Sequence, residues 1–459
     1  MLPGKLRLQN LLILSGCYIF YCWFSWKLCF IILNYSIIAF KLGLIIDKTS
    51  DLKLKSRILN IAVIFYVMSL AYFKYLNFFI SSINSAVRLS GHTPNLHTLS
   101  ILLPLGISFF TFRILSYLFD IKNGKLEPTT DLIIFLSYVA FFPSLVAGPI
   151  DKPKLLIPQL QKSRIFDYVE AADGLRQILW GLFKKIVIAN NAAGVVEYAF
   201  GSNQQHGFVL IYGAFFYAIE IYADFSGYSD MALGIAKLLG FQITRNFNNP
   251  YFSQNIADFW RRWHISLTSW LTEYIFTPAS ISFRDFGKAG SIIAILITFL
   301  VSGLWHGANW TFVAWGFLHG CYFIPLILMG KMNKKKSIDT TQLLPSFRQS
   351  VNMLLTFTLV MLTLIMFRAE SIQSAMNTYI NIFHIYPVTT FKIDVPLLIF
   401  ALVMLAIEWF HRDRKHGLDI ARINNMTLRW TVYVGFVFLI LFFIVGGEHK
   451  NNAFIYMKF

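Results

Sequence analysis

Charge is scarce in this chain. Only 14% of its 459 residues are Asp, Glu, Lys or Arg. Soluble domains carry roughly 25%, so a water-exposed globular fold is excluded. Acids are scarcer than bases, 23 against 40, for a formal charge of +17. In a soluble protein that balance would point to nucleic acid. Here the bases sit in short loops between apolar runs, so inside-positive bias and anionic lipid headgroups account for them, and no nucleic-acid partner is expected. Cysteine is rare. Cys17, Cys22, Cys29 and Cys321 all lie in apolar runs, which predicts structural thiols rather than a disulfide framework. His411 and His416 flank a basic loop without acidic or thiol company, so no metal is assigned there. The stretches of interest contain no Walker loop, dinucleotide fingerprint, Gly-x-Ser-x-Gly elbow or zinc-type Cys/His spacing.

Hydrophobic residues are abundant, at 56%, with 46 Phe and 21 Tyr. Apolar stretches long enough to cross a bilayer, or nearly so, fall near 10–26, 28–46, 58–80, 100–119, 131–148, 174–198, 207–239, 290–305, 310–330, 350–367, 395–411 and 429–446. The expectation is an all-α polytopic membrane protein, one membrane domain over 1–459. Lys5 and Arg7 precede an apolar run without a small-x-small cleavage site, which reads as an uncleaved first span. Stretch 207–239 contains Glu220, Asp224 and Asp230 and is expected to be broken or tilted. Lys331-Met-Asn-Lys-Lys-Lys336 is the sharpest cytoplasmic marker.

Three stretches could carry chemistry. The first is Val301-Ser-Gly-Leu-Trp-His-Gly-Ala-Asn-Trp310. An ionisable residue at membrane depth is costly and marks a functional site by default, and a Gly-rich break there belongs where backbone lines a cavity or is buried in protein. A histidine merely packed between helices would leave the same local pattern. The second is Ile256-Ala-Asp-Phe-Trp-Arg-Arg-Trp-His-Ile-Ser-Leu-Thr-Ser-Trp270. Drawn as one helix, Phe259, Trp260, Trp263, Leu267 and Trp270 share an arc of about 100°, with Asp258, Arg261 and Arg262 opposite. His264 sits at the edge. An interfacial or re-entrant amphipathic helix fits this pattern, and so does a plain anchor. The third is Tyr222-Ala-Asp-Phe-Ser-Gly-Tyr-Ser-Asp-Met231. Gly227 would loosen the backbone between two intramembrane acids, and Arg261 and Arg262 are the expected partners of Asp224 and Asp230. Two prolines in Phe141-Phe-Pro-Ser-Leu-Val-Ala-Gly-Pro149 mark a span end and turn. The aromatic tail Ala453-Phe-Ile-Tyr-Met-Lys-Phe459 should fold back onto protein or membrane.

At Trp305-His-Gly, Phe259-Trp-Arg-Arg-Trp-His-Ile-Ser266 and Asp224-Phe-Ser-Gly-Tyr-Ser-Asp230 the chain resembles the membrane-bound O-acyltransferase (MBOAT) family, in its bacterial alginate O-acetyltransferase-like branch. Leu103-Pro-Leu-Gly-Ile-Ser-Phe-Phe-Thr-Phe112, Ala147-Gly-Pro-Ile150, Asn246-Phe-Asn-Asn-Pro-Tyr251, Phe367-Arg-Ala-Glu370 and Phe454-Ile-Tyr456 fit the same branch, with core motifs inside 100–320. The resemblance implies an MBOAT fold of about 11–12 transmembrane helices, with re-entrant or interfacial helices around a central funnel. It implies His306 as the catalytic histidine, His264 as the second, and Tyr456 as a transient acyl carrier. The tail departs from the branch at Met457 and Lys458, which puts its docking in doubt.

Acyl transfer to a hydroxyl needs a base and stabilisation of the developing oxyanion. His306, neutral when desolvated, would take the proton of an acceptor hydroxyl. His264 would orient donor or acceptor. Trp305 and Asn309 would shape the pocket, and Asp224 and Arg261 the polar path. The implied donor is acetyl-CoA or a similar thioester, with no bound cofactor. The implied partners are a glycan (alginate, peptidoglycan or another cell-surface polysaccharide) and an extracytoplasmic acetyltransferase, at the bacterial cytoplasmic (inner) membrane. A D-alanine exporter-like acyltransferase for teichoic acids, a transporter or flippase, and a non-catalytic scaffold are the alternatives.

Overall fold

In the computed structural model, the described residues are 5–94, 96–201, 207–332, 334, 342–384 and 391–446. Their regular elements are all helical. They pack as two units, Met1–Asp167 with Leu239–Thr244, and Tyr168–Leu238 with Arg245–Phe459. Seven helical runs among them are long and apolar enough to cross a membrane, joined by two shorter apolar helices. The other expected spans are helices that are shorter, carry more charge or, like Leu6–Phe24 with Gln9 and Asn10, contain more polar residues.

The first unit contains α1 (Leu6–Phe24), α2 (Trp26–Lys48), α3 (Leu52–Leu70), α4 (Leu76–Leu89), α5 (Ile107–Lys122), α6 (Leu132–Val139) and α7 (Pro153–Leu160). Local chemistry sets the starts. Asp51 accepts from the Lys53 amide at 2.8 Å to cap α3, and Asp131 accepts from Ile133 at 2.8 Å to cap α6. Two expected spans are shorter than their apolar stretches. The 100–119 helix begins only at Ile107, after Gly106 at φ 68°. There a Cβ would come within 2.4 Å of the Leu145 carbonyl. The 131–148 stretch is helical for eight residues and then turns through Phe142–Ser144. Buried Arg113 accounts for that turn. Its guanidinium donates to the Val139 carbonyl at 3.1 Å and to Ser144 Oγ at 2.5 Å, with the Asp151 carboxylate 3.9 Å away. A fixed guanidinium thus satisfies carbonyls that a longer helix would have used internally.

The second unit holds α8 (Tyr168–Leu182), a π-helical run Phe183–Ala189, α9 (Asn190–Phe200), α10 (Phe208–Leu238), α11 (Ile256–Arg262), α12 (Ile265–Leu271), α13 (Thr277–Ser282), α14 (Gly287–His306), α15 (Trp310–Leu328), α16 (Phe347–Arg368), α17 (Ile372–Ile382), α18 (Val395–Phe410) and α19 (Met426–Gly446). Helix α10 is its axis. It is 83% buried over its most apolar window, whereas α19 is more apolar and only 6% buried. The first is a core helix and the second presents its side chains to lipid. The expected break in 207–239 is absent. Helix α10 runs 31 residues without interruption, about 46 Å.

Gly227 therefore does not loosen the helix. It allows close packing. A Cβ on Gly227 would lie 2.8 Å from the Gly181 carbonyl, and one on Gly181 would lie 2.5 Å from the Gly227 carbonyl. Gly174 and Gly234 repeat the arrangement one heptad along, at 2.8 and 2.4 Å. Small residues at such a spacing let membrane helices touch backbone to backbone. Gly181→Val or Gly227→Val should lower the thermal midpoint in detergent, by the overpacking cost of about 1–3 kcal/mol or more. Gly435→Val on α19, where nothing lies within 4 Å of the new Cβ, should leave the midpoint unchanged. Equal midpoints for all three variants would refute the close-packing role.

Candidate functional site

His306 ends α14, and the chain then extends through Gly307 (φ −170°). Asn309 restarts the helix by accepting from the Thr311 amide at 3.1 Å, while its Nδ2 donates to the Glu370 carbonyl at 2.8 Å. Asn309 is thus a cap and a tie to the turn between α16 and α17. The crossing of α14 and α15 is tight because Gly303 and Gly316 meet; a Cβ on either would strike a carbonyl at 2.2 Å. One turn beyond that crossing, the His306 ring is 4% exposed. Trp305 stands 4.9 Å from it, Trp315 4.9 Å and Phe367 5.1 Å, each close to edge-on. The imidazole sits in a dry aromatic box.

His264 reaches the same box from another element. Stretch 256–270 is not one helix. It breaks at Trp263 and His264 into α11 and α12, and His264 takes φ 42°, a left-handed conformation costly for any residue with a Cβ. The cause is distant in sequence. Asn246 accepts from the Ile265 amide through its carbonyl at 2.9 Å, and from Ser266 Oγ through its side chain at 2.7 Å. The Asn248 amide donates to the Arg262 carbonyl at 2.9 Å. These bonds replace the internal ladder of a continuous helix. They leave His264 fully buried, 4.6 Å from the Phe225 ring and 5.8 Å from the Trp305 indole. Trp305 therefore touches both histidines. His319 is a third, which sequence reading passed over. It is 1% exposed, faces Trp315 at 4.8 Å, and has Trp260 Nε1 at 3.3 Å from its Nδ1. The available signal was its spacing of four from Trp315 in an apolar helix.

The acids of α10 have other partners than those expected. Asp224 pairs with Lys185 and Asp230 with Lys184, each at 2.5 Å. Arg262 pairs instead with Asp258 at 3.2 Å, and Arg261 donates to the Met332 carbonyl at 3.2 Å. Six residues along α10 rotate the second acid by about 120°, which successive lysines on a neighbouring helix can match. Around Asp230 a polar chain continues. Tyr222 donates to Glu408 at 2.7 Å, Gln177 to Asp230 at 2.8 Å, and Lys237 to Asp173 at 2.6 Å, with His416 3.1 Å from Asp173. Burial opposes the charge on Asp173, but bonds from His416 and Lys237 outweigh it and hold this carboxyl well below the usual range. Lys184, Tyr222, Asp230, Arg245 and Glu408 line a cavity of about 20 Å³, room for one water. Lys184, Lys185 and Glu408 were readable as charges inside apolar runs. Tyr456 and the tail 453–459 lie outside the described residues.

The geometry joins two histidines through one indole beside a paired polar spine. The profile of the MBOAT, membrane-bound O-acyltransferase family, matches residues 123–367. The chain belongs to that family. This MBOAT protein is a multi-pass membrane acyltransferase. It is 35% identical to a probable alginate O-acetylase AlgI of Azotobacter vinelandii, over 82% of this chain and 73% of that one. It is 32% identical to a protein of the same description from Pseudomonas putida, over 99% and 95%. It is also 32% identical to a peptidoglycan O-acetyltransferase of Helicobacter pylori, over 96% and 83%.

Asp224→Ala should lower stability by about 3–5 kcal/mol, because it removes the buried carboxylate that pairs with the partly buried Lys185. Adding Lys185→Met should recover much of that loss in the thermal midpoint. A double variant no more stable than Asp224→Ala alone would show that the pair is not what holds this part of α10.

Proposed function

We propose that this acyltransferase moves an acetyl group from a cytoplasmic thioester, acetyl-CoA or a similar donor, to an extracytoplasmic polysaccharide of the alginate or peptidoglycan kind at the bacterial inner membrane. The observation that carries the reading is His306 itself, an imidazole at the end of a spanning helix, boxed by Trp305, Trp315 and Phe367 and sharing Trp305 with His264. The names of the relatives support the substrate class. The Lys-rich 331–336 loop supports the direction. Helix α15 runs from Trp310 towards that loop and α16 starts beyond it. The His306 end of α14 and the Arg368 end of α16 therefore face the opposite, extracytoplasmic side.

The chemistry follows from a base in a dry site. His306 takes the proton of the acceptor hydroxyl as its oxygen bonds to the acetyl carbonyl carbon. The carbon–sulfur bond then breaks, and the departing thiolate takes the proton from the imidazolium. Donors aimed at the carbonyl oxygen stabilise the transient oxyanion, and the two histidines, which share Trp305, would divide these tasks. A tyrosine relay through Tyr456 would ease the first step, since a phenol with pKa ~10 loses its proton more readily than a sugar alcohol. An extracytoplasmic acetyltransferase would take the acetyl group from such a relay.

Mass spectrometry after incubation with isotopically labelled acetyl-CoA tests the reading. Label on a C-terminal peptide of the wild type, lost in His306→Ala and in Tyr456→Phe, is the expected outcome. Label kept in Tyr456→Phe would remove the relay and keep the base. Full acetyl transfer to glycan by His306→Ala would overturn the proposal. His264→Asn separates backbone from imidazole, because Asn tolerates φ 42°. Its thermal midpoint should stay near wild type while acetyl transfer falls by about 10²-fold or more, the usual scale of acid–base assistance. Wild-type turnover in that variant would make His264 purely structural.

A further inference from the structure

An apolar slot of about 210 Å³ stops one helical turn short of His306. Ile295, Thr298, Phe299 and Ser302 line it from α14. These positions share one helical face, and His306, four residues after Ser302, continues that face. Arg261 of α11 and Met332 of the Lys-rich loop also line the slot. Lys288, at the start of α14, donates to the Leu328 carbonyl at the end of α15 at 2.8 Å. Met332 therefore marks the loop end of the slot, and Ser302 its inner end.

Four hydroxyl side chains line this slot, and three are engaged. Thr298 donates to the Ala294 carbonyl at 2.7 Å, Thr268 to Trp263 at 3.1 Å and Thr272 to Thr268 at 2.7 Å. Ser302 is the exception. It is 1% exposed, and its Oγ has no hydrogen-bond partner among the described residues. The usual remedy for a helical serine, the carbonyl one turn back, is not taken. A buried hydroxyl left unpaired is destabilising, so its retention calls for an acceptor that arrives from outside the chain. At the inner end of an apolar slot, that acceptor belongs on a ligand tip that is otherwise apolar. The acetyl end of a thioester has that form, with a methyl, a sulfur and one carbonyl oxygen.

We infer that Ser302 is a catalytic residue whose hydroxyl donates to the carbonyl oxygen of the thioester and holds it as it becomes an oxyanion. This role rests on the acetyl-transfer reading above and supplies the oxyanion donor that it requires. The acceptor oxygen loses its proton to His306 and bonds to the carbonyl carbon, and an electron pair of the C=O bond moves onto oxygen. Ser302 keeps its own proton throughout and donates a hydrogen bond to that oxygen. The C=O bond then re-forms as the carbon–sulfur bond breaks, and the thiolate takes the proton from the imidazolium. The donor thus comes to Ser302 from the loop side, and the acceptor meets it at His306.

The test uses the full-length protein in nanodiscs and acetyl-CoA labelled with carbon-13 at the acetyl carbonyl. Ser302→Ala should lower kcat for thiol release about 10²-fold, the scale of one lost oxyanion donor, with KM within about twofold of wild type. Its thermal midpoint should equal or exceed that of wild type, since the variant removes an unpaired buried hydroxyl. Ser302→Thr keeps a hydroxyl and should recover most of the rate. A serine kept only for its small size beside Gly303 would leave kcat unchanged in Ser302→Ala. Infrared spectra of the labelled donor bound to His306→Ala should place the carbonyl band at lower frequency than in His306→Ala/Ser302→Ala, because a hydrogen bond weakens the C=O bond. Wild-type kcat in Ser302→Ala, or one band frequency in both His306→Ala proteins, would overturn the role of Ser302 and leave His306 as the base. Full turnover by His306→Ala would instead overturn the acetyl-transfer reading itself.

Discussion

A carboxylate survives in an apolar interior only with a cation at its side. Asp224 and Asp230 meet that condition through Lys185 and Lys184, and much of the second unit depends on it. With these two of its three acids paired, α10 passes through its most apolar surroundings as an unbroken helix. The glycine contacts between Gly181 and Gly227 and between Gly174 and Gly234 bring the two backbones close enough for short ion pairs to form. Either device alone is insufficient. The lysines cannot reach across a wider crossing, and the close crossing would bury uncompensated acids without them.

The same trade governs the histidine box. Gly303 and Gly316 allow α14 and α15 to cross at backbone contact, and the residues just beyond that crossing are necessarily crowded. Trp305, Trp315 and Phe367 fill the space around His306 and leave no room for bulk water. A desolvated imidazole is held in its neutral form, which leaves a ring lone pair to accept a hydrogen bond or a proton. The packing geometry that holds the helices together thereby also encloses the ring.

Much of this was readable in order along the chain. The apolar runs, the Trp305-His306-Gly307 break and the buried acids each carry a cost that only a membrane protein with a functional interior would bear. Three features were not readable, for a common reason. Helix α10 looked breakable because its acids and Gly227 are local, whereas Lys184 and Lys185 arrive from another helix. Stretch 256–270 looked like one amphipathic helix because its periodicity is intact. Its break is imposed by Asn246, about twenty residues upstream. His319 drew no notice in the sequence because its contacts to Trp260 and Trp315 belong to the folded arrangement. Local pattern names the unusual residues. It does not name what answers them.

That distinction bears on how the two sides of the site divide their work. Around Asp230, Lys184 and Glu408 the polar groups enclose a cavity with space for about one water. Beyond Phe367 the second unit opens into a cleft lined by the amides and hydroxyls of α17 together with Glu197, Arg368 and Glu370. His306 lies at the boundary between the two. Phe367, on the turn that borders the cleft, packs against its ring at 5.1 Å.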